Sequence, residues 1–182
     1  MRHVIYLGIF LLLVAIALAI TSRLMQPSTI GPAVAPNPAD HRAPVVQVYG
    51  ADVWGFRGNF AIHTWVATKD WDESEYTIYQ VIGWRLRRAG TALSITNGMP
   101  DQPWFRSPPL LLHEVSGAEA APLVDKIANA VQRYPYAREY VMWPGPNSNS
   151  FTAWIALQVP ELGLDLPAKA IGAGWMESNY EG

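Results

Sequence analysis

No cysteine occurs anywhere in the 182 residues. That absence removes disulfides, thiolate nucleophiles, thiolate metal sites and lipid attachment through a cysteine in one step, and it leaves the redox compartment undecided. A concentrated basic surface is missing too. The 13 Lys and Arg stand against 15 Asp and Glu, for a net charge of −2, and they form no long run, so phosphate neutralisation and nucleic-acid binding are not indicated. His63, His113, Glu114 and Asp70 share no ligand spacing, and no two histidines stand four apart on a helix. Neither a metal nor any other cofactor is therefore expected. No internal repeat is visible.

Apolar and aromatic residues fill the space these absences leave. Half of the chain is hydrophobic, with 8 Trp and 8 Tyr, which argues for a well-filled aromatic core and against disorder. The length suits one ordinary domain plus an extension.

Val4 to Ile20 is an unbroken apolar run between Met1-Arg2-His3 and Thr21-Ser22-Arg23. Its length falls between a signal-peptide core and a membrane span. Arg23, Leu24 and Met25 after the run favour an uncleaved anchor. The expectation is thus a signal anchor over residues 1–25, which gives the protein a membrane partner through Val4–Ile20 and a single-pass inner-membrane location with the domain on the periplasmic side. Residues 26–44, with Pro27, Pro32, Pro36, Pro38 and Pro44, read as a semi-extended linker. Residues 45–182 read as a single α+β domain.

Within that domain, alternation and β-branched residues predict strands at Val45–Tyr49, Phe60–Ala67, Tyr76–Ile82, Leu110–Val115 and Glu139–Met142. A further strand is suggested at Thr91–Thr96, before the Asn97-Gly98 turn signal. Along Phe60–Ala67, Ile62 and Thr64 face one way, His63 and Trp65 the other. In Gly83 to Gly90, with Trp84, Arg85, Arg87 and Arg88, arginines beside tryptophan could bind an anion, but the favoured reading is a solvated hairpin. Helices are predicted at Gly117–Arg133, where Ser116-Gly-Ala-Glu119 has capping-box spacing, and at Asn149–Val159. Pro122 is discordant with the first of these, unless the regular helix begins there.

The chain's most specific stretch is Trp143-Pro-Gly-Pro-Asn-Ser-Asn-Ser-Phe-Thr-Ala-Trp154. A rigid turn delivers Asn147, Ser148, Asn149 and Ser150, all good N-cap residues, to the start of an apolar helix. A hydroxyl there sits at the positive end of the helix dipole, where an anion is stabilised. The plain alternative is a helix cap and nothing more.

Together with His63-Thr-Trp-Val-Ala67 and Tyr134-Pro-Tyr136, this stretch resembles a bacterial domain-of-unknown-function family, number 3750, over nearly all of residues 45–174. That family brings no established activity. More distantly, a strand histidine followed far downstream by a polar cluster opening an apolar helix resembles circularly permuted papain-like peptidases of NlpC/P60 type. Their later motif reads Asn-Cys-x-x-Phe; here Asn147 and Phe151 match, and Ser148 stands where the thiol would be.

The predicted elements make an antiparallel sheet packed by two helices, preceded by one N-terminal transmembrane helix, and the resemblance implies that this α+β fold is of permuted papain-like type. The resemblance also implies Ser148 as nucleophile, His63 as base, amides near Asn149 as oxyanion donors, and Gln80 or Tyr79 as the group orienting His63. Trp65, Trp143, Asn147 and Ser150 would line the cleft as binding residues. Serine in a site shaped for a thiolate is a weaker nucleophile, so the leading expectation is a membrane-anchored, non-catalytic binding module of the cell envelope. Two alternatives stay open: a Ser/His hydrolase of amide or ester bonds in cell-wall peptides or lipids, and an accessory subunit of a membrane complex with an envelope protein partner.

Overall fold

The computed structural model describes Tyr6, residues 9–17 and residues 34–180. The strands are β1 (Val45–Asp52), β2 (Ile62–Lys69), β3 (Tyr76–Val81), β4 (Leu93–Gly98) and β5 (Leu110–Ser116). The helices are α1 (Arg85–Ala89), α2 (Ala121–Gln132), α3 (Ser148–Gln158) and α4 (Gly174–Asn179). The strands form one open sheet in the order β4-β3-β2-β1-β5, antiparallel throughout.

The β1–β2 register pairs Val48 with Val66 and Tyr49 with Trp65, so consecutive side chains leave opposite faces of the sheet. On one face, Val46, Val48, Val66, Tyr79 and Val81 meet Leu123, Ile127 and Val131 of α2 and Phe151, Trp154 and Ile155 of α3. Both faces are covered, which is why β1 and β2 are buried along nearly their whole length instead of at every second residue. On the other face Tyr49, Ala51 and Trp65 lie under Trp104, while Val45, Ala67 and Tyr76 lie under Ala35. The backbone amides of Val34 and Ala35 donate to Asp101 Oδ2, and the Tyr76 hydroxyl donates to Pro36 O. The described end of the proline-rich stretch is therefore docked on the sheet.

Several expectations need correction. Of Val4–Ile20, Tyr6 and residues 9–17 are described and helical, and the rest lies outside the described residues. Among the described residues no helix is long and apolar enough to cross a membrane. The expected transmembrane segment is overturned, and with it the signal anchor, the membrane partner and the single-pass inner-membrane placement with a periplasmic domain. The cell-envelope binding module and the envelope partner rested on that anchor. The fold class is accordingly an α+β domain with an open antiparallel sheet packed by helices.

Within the sheet, Glu139–Met142 is not a strand. Its Val141 amide donates to Pro146 O in a turn, and the sheet ends instead at β4, which pairs along β3 from Tyr76↔Gly98 to Val81↔Leu93. The Arg85–Ala89 stretch is a short helix closed by Gly90 in the left-handed conformation, not a hairpin. Ser116 makes no side-chain cap; a 3-10 turn covers Gly117–Glu119, and α2 starts with Pro122 in its first turn, where a missing amide costs nothing.

Candidate functional site

Asn147 organises the start of α3. Its Oδ1 accepts from the amides of Asn149 at 2.9 Å and Ser150 at 3.1 Å, and the Ser150 hydroxyl accepts from the Asn147 amide, which closes a capping box. The helix predicted from Asn149 begins one residue earlier: Asn147 is the N-cap, and Ser148 is the first helical residue. Asn147 Nδ2 also donates to Met142 O and Ile171 O, and Ser150 Oγ donates to Gly172 O at 2.6 Å. Gly172 has φ +88°, and a Cβ there would collide with the Asn147 side chain. Glycine is thus required for both conformation and space.

Asn149 fastens this helix start to the sheet. Its Nδ2 donates to Ile62 O at 3.1 Å and to Ile171 O at 2.9 Å, and its Oδ1 accepts from Thr64 Oγ1 at 3.0 Å. All its side-chain polar atoms are occupied, and its amide serves the cap. The oxyanion donor expected near Asn149 is therefore not the Asn149 N–H. Ser148 differs in both respects: its N–H donates to no described group, and its Oγ has no hydrogen-bond partner among the described residues. Helix start, orphan amide and unpartnered hydroxyl coincide in one residue.

His63 lies on β2, next to Thr64, and the two point to opposite sides of the sheet. Thr64 reaches α3, while the His63 imidazole stacks on Trp104 with ring centroids 3.7 Å apart. His63 Nε2 lies 3.1 Å from Gln80 Oε1. Because that oxygen can only accept, Nε2 carries the proton and Nδ1 the lone pair. Burial pushes the imidazole down to about 4, the Gln80 contact opposing this only in part. The ring is therefore neutral at physiological pH. Tyr79, the other residue considered for orienting His63, turns into the α2–α3 core.

A cavity of about 860 Å³ lies past the Ile62 end of β2 and collects residues from both sides of the sheet: His63, Asn147, Ser148 and Asn149, with Trp104 and Trp143 among its walls. His63 and Ser148 share this cavity, but no hydrogen bond joins them. Trp65 is not on its lining; it stacks on Tyr49 and donates through Nε1 to Pro100 O. Ser150 likewise holds the helix start from behind. Sequence reasoning missed Trp104 and Arg57, and set anion binding by Trp84 and Arg87 below a solvated hairpin; Trp104 and Trp84 stack 5.6 Å apart, and both arginines line the cavity. It also missed Tyr140, whose ring lies against Gly83 so closely that any Cβ there would meet it at 2.6 Å. Among the described residues no three His, Asp or Glu cluster as metal ligands.

Fold and cavity together define a small α+β domain built around one aromatic cleft. The chain belongs to the family described as "Protein of unknown function (DUF3750)", which matches residues 43–175. No curated protein matches the chain, and no solved structure does. Nothing in these matches supports homology to papain-like or NlpC/P60-type peptidases.

Proposed function

We propose that the chain is a hydrolase of ester or amide bonds, with Ser148 as nucleophile and His63 as general base. The observation that carries this reading is the state of Ser148: an unpartnered hydroxyl and an unpartnered amide on the first residue of a helix, inside a cavity that also holds a neutral imidazole. In the proposed reaction Ser148 Oγ bonds to the acyl carbon and passes its proton to His63 Nδ1. The carbonyl oxygen takes up the electron pair and faces the Ser148 N–H, in the positive field of α3.

Collapse of that intermediate breaks the bond to the leaving alcohol or amine, which takes the proton from His63. Water then cleaves the acyl-serine by the same route. An imidazole held at about 4 is a weak base in the resting cleft; the oxyanion formed on attack is the negative charge that raises its basicity when the proton must be held. Gln80 fixes which nitrogen faces the cleft, which makes it a positioning residue. Resting catalytic hydrogen bonds are commonly long and tighten around substrate, which accommodates the absent Ser148–His63 bond.

The test is steady-state hydrolysis of 4-nitrophenyl esters of varied acyl group by the wild-type chain, Ser148→Ala and His63→Ala. Turnover abolished by both substitutions supports the reading. Turnover undiminished in Ser148→Ala, or none above solvent with any ester, overturns it.

A further inference from the structure

The same cavity carries information about what it takes. Its walls are aromatic: Trp54, Trp84, Trp104, Phe105 and Trp143 all line it. Trp54 and Phe105 are more than half exposed and Trp143 is 72% exposed, so large rings stand uncovered around one opening. An uncovered aromatic rim continuous with a cavity is a surface for a flat apolar group, because rings stack on rings and shed ordered water in doing so. The volume matches the roughly 300–1,000 Å³ of small-molecule sites.

Charge narrows the choice further. Arg57, on the turn Gly55–Asn59, and Arg87, on α1, reach the cavity from separate elements, and no Asp or Glu lines it. Neither arginine has a carboxylate partner among the described residues: the ion pairs are Arg42–Asp72, Lys126–Glu161 and Lys169–Asp52. Among the described residues the Arg57 guanidinium hydrogen-bonds only to Met142 Sδ, a weak acceptor, at 3.3 Å. Two guanidiniums without counter-charges beside a low-polarity wall attract an anion and repel an ammonium.

We propose that the substrate is an anionic ester or amide with a flat aromatic body, its carboxylate-type group held by Arg57 and Arg87 and its rings by the tryptophan walls. Substrates bearing ammonium groups near the scissile bond, as peptides with free amino groups do, find no counter-charge here. The assignment of the scissile bond rests on the Ser148 and His63 reading; the binding preference does not.

Binding is therefore measured in the full chain carrying Ser148→Ala, which removes no hydrogen bond, by tryptophan fluorescence and calorimetry. The probes are 2-naphthoate, 2-naphthamide and 2-naphthylmethylammonium, which share the ring and differ in charge. The expected result is that the carboxylate binds about tenfold tighter than the amide, with the ammonium weakest. The preference should shrink in about 0.5 M salt and vanish in the added pair Arg57→Gln and Arg87→Gln. The comparison among probes needs no arginine variant, so a misfolded variant does not spare the proposal. Equal affinity for carboxylate and amide, tighter ammonium binding, or no binding of any probe overturns it. Ester turnover abolished by Ser148→Ala, without carboxylate preference, removes the substrate class and leaves the hydrolase. Carboxylate preference without turnover does the reverse.

Discussion

Asn149 Nδ2 donates to Ile62 O across 87 positions of sequence, at 3.1 Å, and so ties the first turn of α3 to the first residue of β2. Everything proposed for the cleft depends on that tie, since Ser148 precedes Asn149 and His63 follows Ile62. Thr64 completes the joint from the next position, through Asn149 Oδ1 at 3.0 Å and Thr152 Oγ1 at 2.8 Å.

Asn149→Ala leaves the Thr64 hydroxyl short of a partner, the Ile62 carbonyl without its Nδ2 donor and the Ile171 carbonyl with Asn147 Nδ2 alone, all of them buried or nearly so. A cost on the order of 2–4 kcal/mol is expected. Ser148→Ala should cost less than about 1 kcal/mol, because its hydroxyl has no partner to lose. Urea unfolding of the two variants checks this, and equal losses would contradict the hydrogen-bond assignment.

Gly172→Ala should be as damaging as the loss of the cap itself. The position needs a positive φ, and the added methyl would displace Asn147. A loss on the order of 2 kcal/mol or more, similar to that of Asn147→Ala, is expected in thermal or urea melts.

The imidazole of His63 sets a pH dependence. In the unfolded chain it takes up a proton near its ordinary value of 6.5, and in the folded chain only near 4. Between those values the unfolded state binds more protons, so stability contributed by the neutral ring is present above 6.5 and is lost as pH falls through that window. The loss is on the order of 3 kcal/mol. Unfolding at pH 7.5 and 4.5 should show it in the wild type, and His63→Gln should flatten the difference. A wild type equally stable at both pH values would show the ring is not buried neutral.

Gln80→Glu places a carboxylate where the amide oxygen now lies 3.1 Å from His63 Nε2. An opposite charge at that distance favours imidazolium, so the titration of His63, followed by NMR, should move up. Hydrolytic activity at neutral pH should then rise, because an imidazole brought nearer the working pH while still mostly neutral takes up the serine proton more readily. A titration left where it was would place Gln80 away from the imidazole.

Much of the sheet was legible because strands buried on both faces carry runs such as Val45-Val46-Gln47-Val48-Tyr49, whose β-branched and aromatic content is hard to read otherwise. Glu139–Met142 misled because Tyr140, Val141 and Met142 have strand composition; what composition cannot register is that β4 already occupies the edge beside β3. The start of α3 was legible from Pro-Gly-Pro and four short polar residues. Which of the four caps was not, since the choice is made by Met142 O, Ile171 O and Gly172 O from distant segments. His63 and Ser148 both line one cavity, with no hydrogen bond between them, and the Trp104 stack on His63 depends on the path of a loop. The apolar run at Val4–Ile20 suggested a span from hydropathy alone, and among the described residues no helix is long and apolar enough to cross a membrane.

The most direct measurement of the central claim is covalent labelling of the wild-type chain by a serine-directed fluorophosphonate, mapped by mass spectrometry. The account predicts one adduct, on Ser148 Oγ, absent from Ser148→Ala and strongly slowed in His63→Ala, with the folded state of each variant verified by circular dichroism. An unlabelled Ser148 in the folded wild-type chain, or labelling at an undiminished rate in His63→Ala, would contradict it.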